Sequence, residues 1–508
     1  MNNQDKFYIT TAINYMNGPP HIGHAYEAIT ADVFARYHRL NNEQVFFLTG
    51  SDEHGQKISD TAKKQNMTPI ELCDKYVDTF KSLNQNLNVS NDFYIRTTSE
   101  QHKKFVLWFW NKALEKEDIY LGQYTGWYNV REETYVTNKM AELHNYKDIV
   151  SGNELIQRNE PSYFFKLNKY KDQIINHIND NPHFILPLER RNEILDKLIK
   201  EELNDISISR TNFDWGIKTP ENNHVMYVWF DALTNYLSAL NFDQNNNIFW
   251  PPNITLIGKD IIWFHAVIFS GMLMSCDIPL PNTILCHGFV NDSEGKKMSK
   301  SLGNTIDPVE IIEKYNHDIF RFYMFCDAGN IGEDIKFDIN RLIDMNDNVL
   351  GNSLGNLILR TSSLMGKIFQ NKIKDQDLEN NKIDIIFNHT ELVDQINNCF
   401  LNFQLCDALK IIMDRIGQVN KYFSDNTPWK NTYENNIRIM SSTMNAIYIL
   451  VHFLYPYIPT SCDKILNALG AKLVTFGELV ENNNITSMND AGKLFDRINK
   501  NKYDKKKN

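Results

Sequence analysis

The sequence predicts an α/β protein: a doubly wound parallel sheet, split by an inserted α+β unit and followed by an all-α helical bundle. Three observations predict it. Up to about residue 330, short β-branched or aromatic runs alternate with helical patterns, as parallel α/β units do. Roughly between 118 and 212 the rhythm changes to a stretch rich in Tyr, Asn and charge. From about 345 onward the strand patterns disappear and helical ones dominate.

Phe7–Ala12 (FYITTA) reads as the first strand, and Asn14–Pro20, with Gly18, Pro19 and Pro20, as a turn-rich loop. Ile22–Leu40 has apolar residues at 22, 25, 26, 29, 33, 37 and 40, close to helical period. Val45–Leu48 is a second buried strand, with Asn253–Ile257 and Thr283–Cys286 as later strands of the same sheet. Helical patterns cover Met345–Ile368, His389–Phe423 and Asn435–Tyr455, separated by polar joints such as Asn371–Lys382. The last residues, 499–508, are polar and expected to fray. The expected division is 1–117 and 213–285 for the two halves of the sheet domain, 118–212 for the insert, 286–344 for a connecting region and 345–508 for the helical domain.

At about 100–200 residues per domain, a chain of 508 residues holds about three domains. Hydrophobic residues at 42% and aromatics at 12% exclude a disordered chain. The most apolar stretches, Ile261–Met274 and Ala446–Pro459, are too short or interrupted for a bilayer span, which needs about 20 residues. Met1–Lys6 is polar and does not resemble a secretory signal. Seven scattered cysteines with no CxxC pair argue against a disulfide framework and a cysteine-rich zinc site. They suit a reducing compartment, so a cytoplasmic location is expected, with an organelle as the alternative. The net charge of −10 argues at first against a nucleic-acid partner. Residues 331–508, however, carry 21 Lys+Arg and 21 Asp+Glu, so all of the excess acid sits in residues 1–330.

Two constellations carry chemistry. Pro20-His21-Ile22-Gly23-His24 sits where the first strand ends and the first helix begins. A helix N-terminus attracts anions, two imidazoles at i and i+3 can donate to phosphate oxygens, and Gly23 lets a flat ring approach the backbone. The same residues could be a capping histidine beside a surface one, or two metal ligands lacking a third. Gly295-Lys-Lys-Met-Ser-Lys-Ser-Leu-Gly-Asn304 is a glycine-bounded lysine cluster. Lys297 and Lys300 could clamp a triphosphate, or the run could be a solvated basic loop.

Together, in this order around an insert, PHIGH and KMSKS are the signature of class I aminoacyl-tRNA synthetases, which the chain resembles. Thr10–Tyr15 (TTAINY), Gly50–Gly55 (GSDEHG), Ser207–Arg210, Tyr227–Leu233 (YVWFDAL), Ile257–Ile261 and Phe264-His265 resemble the methionyl-tRNA synthetase family in its bacterial and organellar-type branch. His24 and Lys297 lie 273 residues apart, which leaves no room for the editing domain of the valine, isoleucine and leucine enzymes.

The resemblance implies a Rossmann-like sheet, ATP with Mg²⁺, L-methionine and tRNA(Met) as partners, and a monomer. It implies that His21, Gly23, His24, Gly258, Asp260, Lys297, Ser299 and Lys300 bind ATP, with His21, His24, Lys297 and Lys300 catalytic. Asp52 would hold the methionine ammonium, with Ala12, Ile13, Tyr15, Trp229, Ala232, Tyr236, Ile261, His265 and Phe269 lining the pocket. Where the family usually has Trp-Pro, this chain has Phe269-Ser270, so the wall there differs. Asn356 and Arg360, four apart on one helix face, and Trp429 would read the anticodon; a surface Asn/Arg pair and a packing Trp are the plain alternatives. Gly126-Trp127-Tyr128 is followed by Asn129, Val130, Arg131 and Glu132 without the family's frequent cysteine knuckles, so no structural zinc is expected. The rivals to an active methionine ligase are a tRNA-binding paralogue with a dead site and a ligase for another amino acid.

Overall fold

The computed structural model describes residues 5–498 except 130–133, 137, 149–151, 222, 245–247, 299–302, 327–330, 379–382 and 480–484. Ser299 and Lys300, the frayed end expected at 499–508, and Val130, Arg131 and Glu132 therefore lie outside the described residues.

Strands β1 (Lys6–Thr11), β2 (Asn14–Tyr15), β3 (Gln44–Asp52) and β4 (Phe93–Arg96) begin the chain, with helix α1 (Ile22–Leu40) between β2 and β3. Helices α2 (Gln56–Lys64) and α3 (Pro69–Asn86) follow β3, and α4 (Glu100–Glu115) follows β4. The expected periodicity of α1 is realised, since Ile22, Ala25, Tyr26, Ile29, Val33, Tyr37 and Leu40 are all buried. Next come β5 (Ile119–Asn129), β6 (Thr134–Val136), β7 (Ile156–Phe165), β8 (Ile185–Leu186), β9 (Ile206–Ser207), β10 (Ser209–Arg210) and β11 (Val225–Met226). Then β12 (Ile254–Gly258) and β13 (Ile284–His287) complete the main sheet, whose order is β2-β3-β1-β12-β13-β8, with β4 also on β3. All pairings in it are parallel.

The centre of this sheet is β1, buried from Phe7 onward because β3 and β12 flank it and helices cover both faces. The chain leaves β1 outward through β3 and β4 and returns on the other side at β12. That reversal opens a crevice at the carboxyl ends of the strands, where open α/β sheets bind ligands.

In the insert, β5 and β7 form a long antiparallel ladder within a four-stranded sheet, β6-β5-β7-β9. The insert differs from expectation in one respect. Its β8 pairs with β13 in the main sheet, and Phe184, Ile185, Ile194 and Leu198 join the core beneath it. A two-residue strand has no alternation to read, so sequence periodicity could not reveal it.

Short strands β14 (Val290–Asn291) and β15 (Ile335–Lys336) pair before the helical region. There the first expected helix is resolved into a π-helical stretch, Met345–Gly355, followed by the α-helix Asn356–Phe369. The second divides into His389–Leu401 and Leu405–Asp425, because Phe403 takes a left-handed conformation (φ 59°). The helix Tyr433–Leu454 is long and apolar enough to cross a membrane by length and composition, but its apolar window is 94% buried inside the protein, where it forms the core of the bundle.

One hydrophobic core runs continuously from α1 through Phe320–Phe325 into the helices at 405–425 and 433–454. Its polar counterpart is a buried ion cluster. Asp32 of α1 accepts from Arg36 Nε at 2.7 Å and pairs with Arg321 Nη2 at 2.7 Å. Arg321 also donates to the carbonyls of Leu87, Pro456 and Tyr457. Burial raises the Asp32 carboxyl, but the two guanidiniums outweigh it and hold the group below its usual range.

Candidate functional site

A cavity of about 450 Å³ opens at the carboxyl ends of the central strands. Ala12 and Ile13 enter it after β1, Tyr15 from β2, Asp52 from the end of β3, Gly258 from β12 and His287 from β13. The parallel register of β2 on β3 sets Tyr15 beside Asp52.

The N-terminus of α1 lies at the same rim, and its two histidines cap it. His21 Nδ1 accepts from the Gly23 N–H at 3.1 Å, and His24 Nδ1 accepts from the His21 N–H at 3.0 Å. The rings stack with centroids 3.6 Å apart. A neutral imidazole that accepts at Nδ1 carries its proton on Nε2, so each cap leaves an N–H donor on the ring's other nitrogen. Burial first, then the neighbouring His21 and His287, push His24 well below its ordinary value and keep it neutral. The capping alternative is what the structure shows, and it does not conflict with donation from the rings to an anion. Gly23 leaves the His21 ring room, since a Cβ there would lie 3.0 Å from it and the ring would have to shift.

The apolar wall comes from the helix Val228–Ala232 and the segment 258–265. Trp229 stacks on Phe264 with centroids 3.8 Å apart and planes 7° from parallel. His265 Nδ1 faces the Ile261 carbonyl at 3.0 Å, which can only accept, so Nδ1 carries the proton. Its Nε2 then accepts from the Tyr236 hydroxyl at 2.8 Å. Burial lowers His265 to about 4, so the ring is neutral at physiological pH. Ala232, Tyr236, Ile261 and Asp260 line the same cavity.

Phe269 does not reach the lining. It is buried behind the wall, its ring 5.8 Å from Tyr236 and 6.5 Å from Trp250. Of the lysine cluster, Lys297 lines the cavity with its ammonium 4.2 Å from the Phe289 ring centroid. Asn356 and Arg360 share the helix Asn356–Phe369, and the Arg360 guanidinium lies 5.1 Å from the half-exposed Trp429 ring, well outside the cavity. The structure therefore brings Arg360 and Trp429 together, which the sequence placed 69 residues apart.

Sequence reasoning missed Glu27, His287 and Lys57, all on the cavity wall. Glu27 Oε2 accepts from His287 Nε2 at 2.9 Å, and His287 Nδ1 lies 2.8 Å from the Gly288 carbonyl. Burial raises the Glu27 carboxyl, against the pull of His287. Burial lowers His287, but Glu27 outweighs it and the net shift is upward. Two signals were available: Glu27 is one turn past His24 on α1, and His287 ends a strand of a parallel sheet. Among the described residues, no group of three or more His, Cys, Asp or Glu side chains is placed to hold a metal ion.

The family model for tRNA synthetases class I (M) matches residues 7–142 and 136–362. The chain belongs to the class I methionyl-tRNA synthetase family. A methionine–tRNA ligase of Rickettsia bellii (strain RML369-C) is 41% identical over 483 residues, covering 92% of this chain and 93% of that protein. One from Brucella melitensis biotype 1 is 39% identical over 481 residues, with 92% of each chain covered. The solved methionyl-tRNA synthetase of Mycobacterium tuberculosis in complex with methionyl-adenylate superposes with a TM-score of 0.88 at 34% identity, over 97% of this chain and 100% of that one. Its apo form superposes with a TM-score of 0.83 at 32% identity, over 98% and 99%. The shared fold is thus that of a methionyl-tRNA synthetase over nearly the full length, insert and helical region included.

Proposed function

We propose that this chain is a methionine–tRNA ligase, activating L-methionine with ATP and transferring it to tRNA(Met). The observation that carries the reading is the single cavity that joins a carboxylate, an aromatic wall, a histidine-capped helix terminus and a lysine. Asp52 faces the substrate ammonium, and Trp229, Tyr236 and His265 surround the thioether chain. A neutral His265 suits an uncharged side chain. Gly258 and Asp260 take the nucleoside, with His287 at the neighbouring strand end and Glu27 facing it from α1.

No protein nucleophile is needed. A methionine carboxylate oxygen attacks the α-phosphorus in line, the bond to the bridging oxygen breaks, and its electron pair leaves with pyrophosphate. The Nε2–H groups of His21 and His24 hold the phosphate oxygens, Lys297 and Lys300 neutralise the leaving group, and the Ser299 hydroxyl of the same motif donates a hydrogen bond to it. Magnesium enters with the ATP phosphates, and no protein ligand is assigned to it. In the second step the terminal ribose hydroxyl of tRNA attacks the activated carbonyl, and AMP departs. The Arg360–Trp429 face, with Asn356 one turn away, offers a cation and a stacking surface to an unpaired anticodon base.

Methionine-dependent exchange of pyrophosphate into ATP, followed by charging of tRNA(Met), tests the proposal. Folded protein that performs neither overturns it; exchange driven by another amino acid in preference to methionine corrects the substrate.

A further inference from the structure

Behind the cavity lies a buried charge cluster that the reaction as described does not use. Asp231 sits in the helix Val228–Ala232, between the wall residues Trp229 and Ala232, and is 1% exposed. Trp229 and Ala232 are three apart and share the cavity face, so Asp231, two residues from Trp229, projects from the other side. Its Oδ2 lies 2.6 Å from His54 Nδ1, and its Oδ1 lies 2.6 Å from His102 Nε2. His102 is fully buried, and its Nδ1 meets Ser238 Oγ at 2.8 Å. Burial alone would raise this carboxyl, but His54 and His102 outweigh it and bring it down to about 2, so it stays ionised.

The partner of this carboxylate matters because His54 belongs to the segment that presents Asp52. On one side, Glu53 is held by Arg96, Nε to Oε1 at 2.7 Å and Nη2 to Oε2 at 3.0 Å. Its carbonyl accepts from Trp215 Nε1 at 2.6 Å. On the other side, only Asp231 links the His54 ring to the wall helix by a hydrogen bond among those described. The charged end and the apolar end of the pocket come from different elements, β3 and the helix Val228–Ala232, and this bond spans them.

We infer that Asp231 is a positioning residue for amino-acid recognition: through His54 it fixes the distance between the Asp52 carboxylate and the Trp229–Ala232 wall, and so the length of side chain the pocket accepts. The inference rests on the methionine reading of the cavity. Ionised Asp231 cannot slacken without stranding a buried charge, which makes the spacing stiff. ATP contacts lie on other elements and do not depend on it.

The test is methionine-dependent pyrophosphate exchange, with KM measured separately for methionine and ATP. His54→Leu removes the donor to Asp231, and its methionine KM is expected to rise about tenfold or more with the ATP KM within about twofold. His54→Asn, whose amide N–H can stand in for Nδ1–H, is expected to recover most of the loss. If His54→Leu does not fold, Asp231→Asn is read by the same split. An active wild type whose variant keeps its methionine KM, or whose two KM values rise together, overturns the positioning role alone. A wild type with no methionine-dependent exchange overturns the functional reading and this inference with it.

Discussion

The two proposed ligand sites of this chain are built on opposite terms. At the sheet crevice the polar groups are gripped from behind: the His21 and His24 caps, the Glu27–His287 pair and the His265–Tyr236 bond are each set by a neighbour before any substrate arrives. On the helical face, Arg360 rests near Trp429 and Phe423, and Trp429 leaves 48% of its surface to solvent. Prior ordering suits a small substrate that must be held for in-line attack, because the entropy is lost during folding and not during binding. An exposed stacking surface suits a large, mobile strand that brings its own shape.

Asp52→Asn strikes the first region hardest. Stranding the substrate ammonium is expected to lower kcat/KM for methionine in the exchange assay by about a hundred- to a thousandfold. Trp229→Ala removes both a cavity wall and its 3.8 Å stack on Phe264. Exchange is expected to fall about a hundredfold, with a lower melting temperature. Trp429→Ala tests the contrast from the other side. Exchange stays at the wild-type level, while charging of tRNA(Met) falls about tenfold, the worth of one base stack. A Trp429→Ala variant that lost exchange as well would erase the distinction between the regions. The smallest effect is spectroscopic. The His265 ring, followed by NMR, is expected to remain neutral through pH 5 and titrate near 4. Because its folded value lies below the ordinary one, protonation opposes the fold, and the stability tied to His265 falls as pH drops from about 6.5 toward 4.

The same contrast explains what could be read from sequence. Helix α1 was legible because its apolar residues recur at helical period, and the strands at 7–11, 45–48, 254–257 and 284–286 because strands buried on both faces read as short β-branched or aromatic runs. His21, His24, Asp52 and Trp229 were legible because each sits in a contiguous motif. The roles of Glu27, His287 and Asp231 were not, since those depend on partners 260, 177 and 129 residues distant. No local pattern encodes such pairs. Phe269 was placed in the lining by resemblance alone, at the one point where this chain has Phe-Ser for the family's usual Trp-Pro, and its ring lies behind the wall on a π-helical turn.

The Arg321 cluster sets a rule for anyone cutting this chain. Its guanidinium is fully buried and takes its acceptors from Asp32, Leu87 and the carbonyls of Pro456 and Tyr457, so one side chain stitches the two ends of the polypeptide together. A fragment ending near residue 344 would lose two of those acceptors and bare the apolar core shared with the helices at 405–425 and 433–454, and such a fragment is expected to be insoluble while the whole chain melts in one transition. Transplanting a foreign helical half onto this catalytic half faces the same demand: the graft must bring two carbonyls to Arg321, or the hybrid carries a fault at its seam.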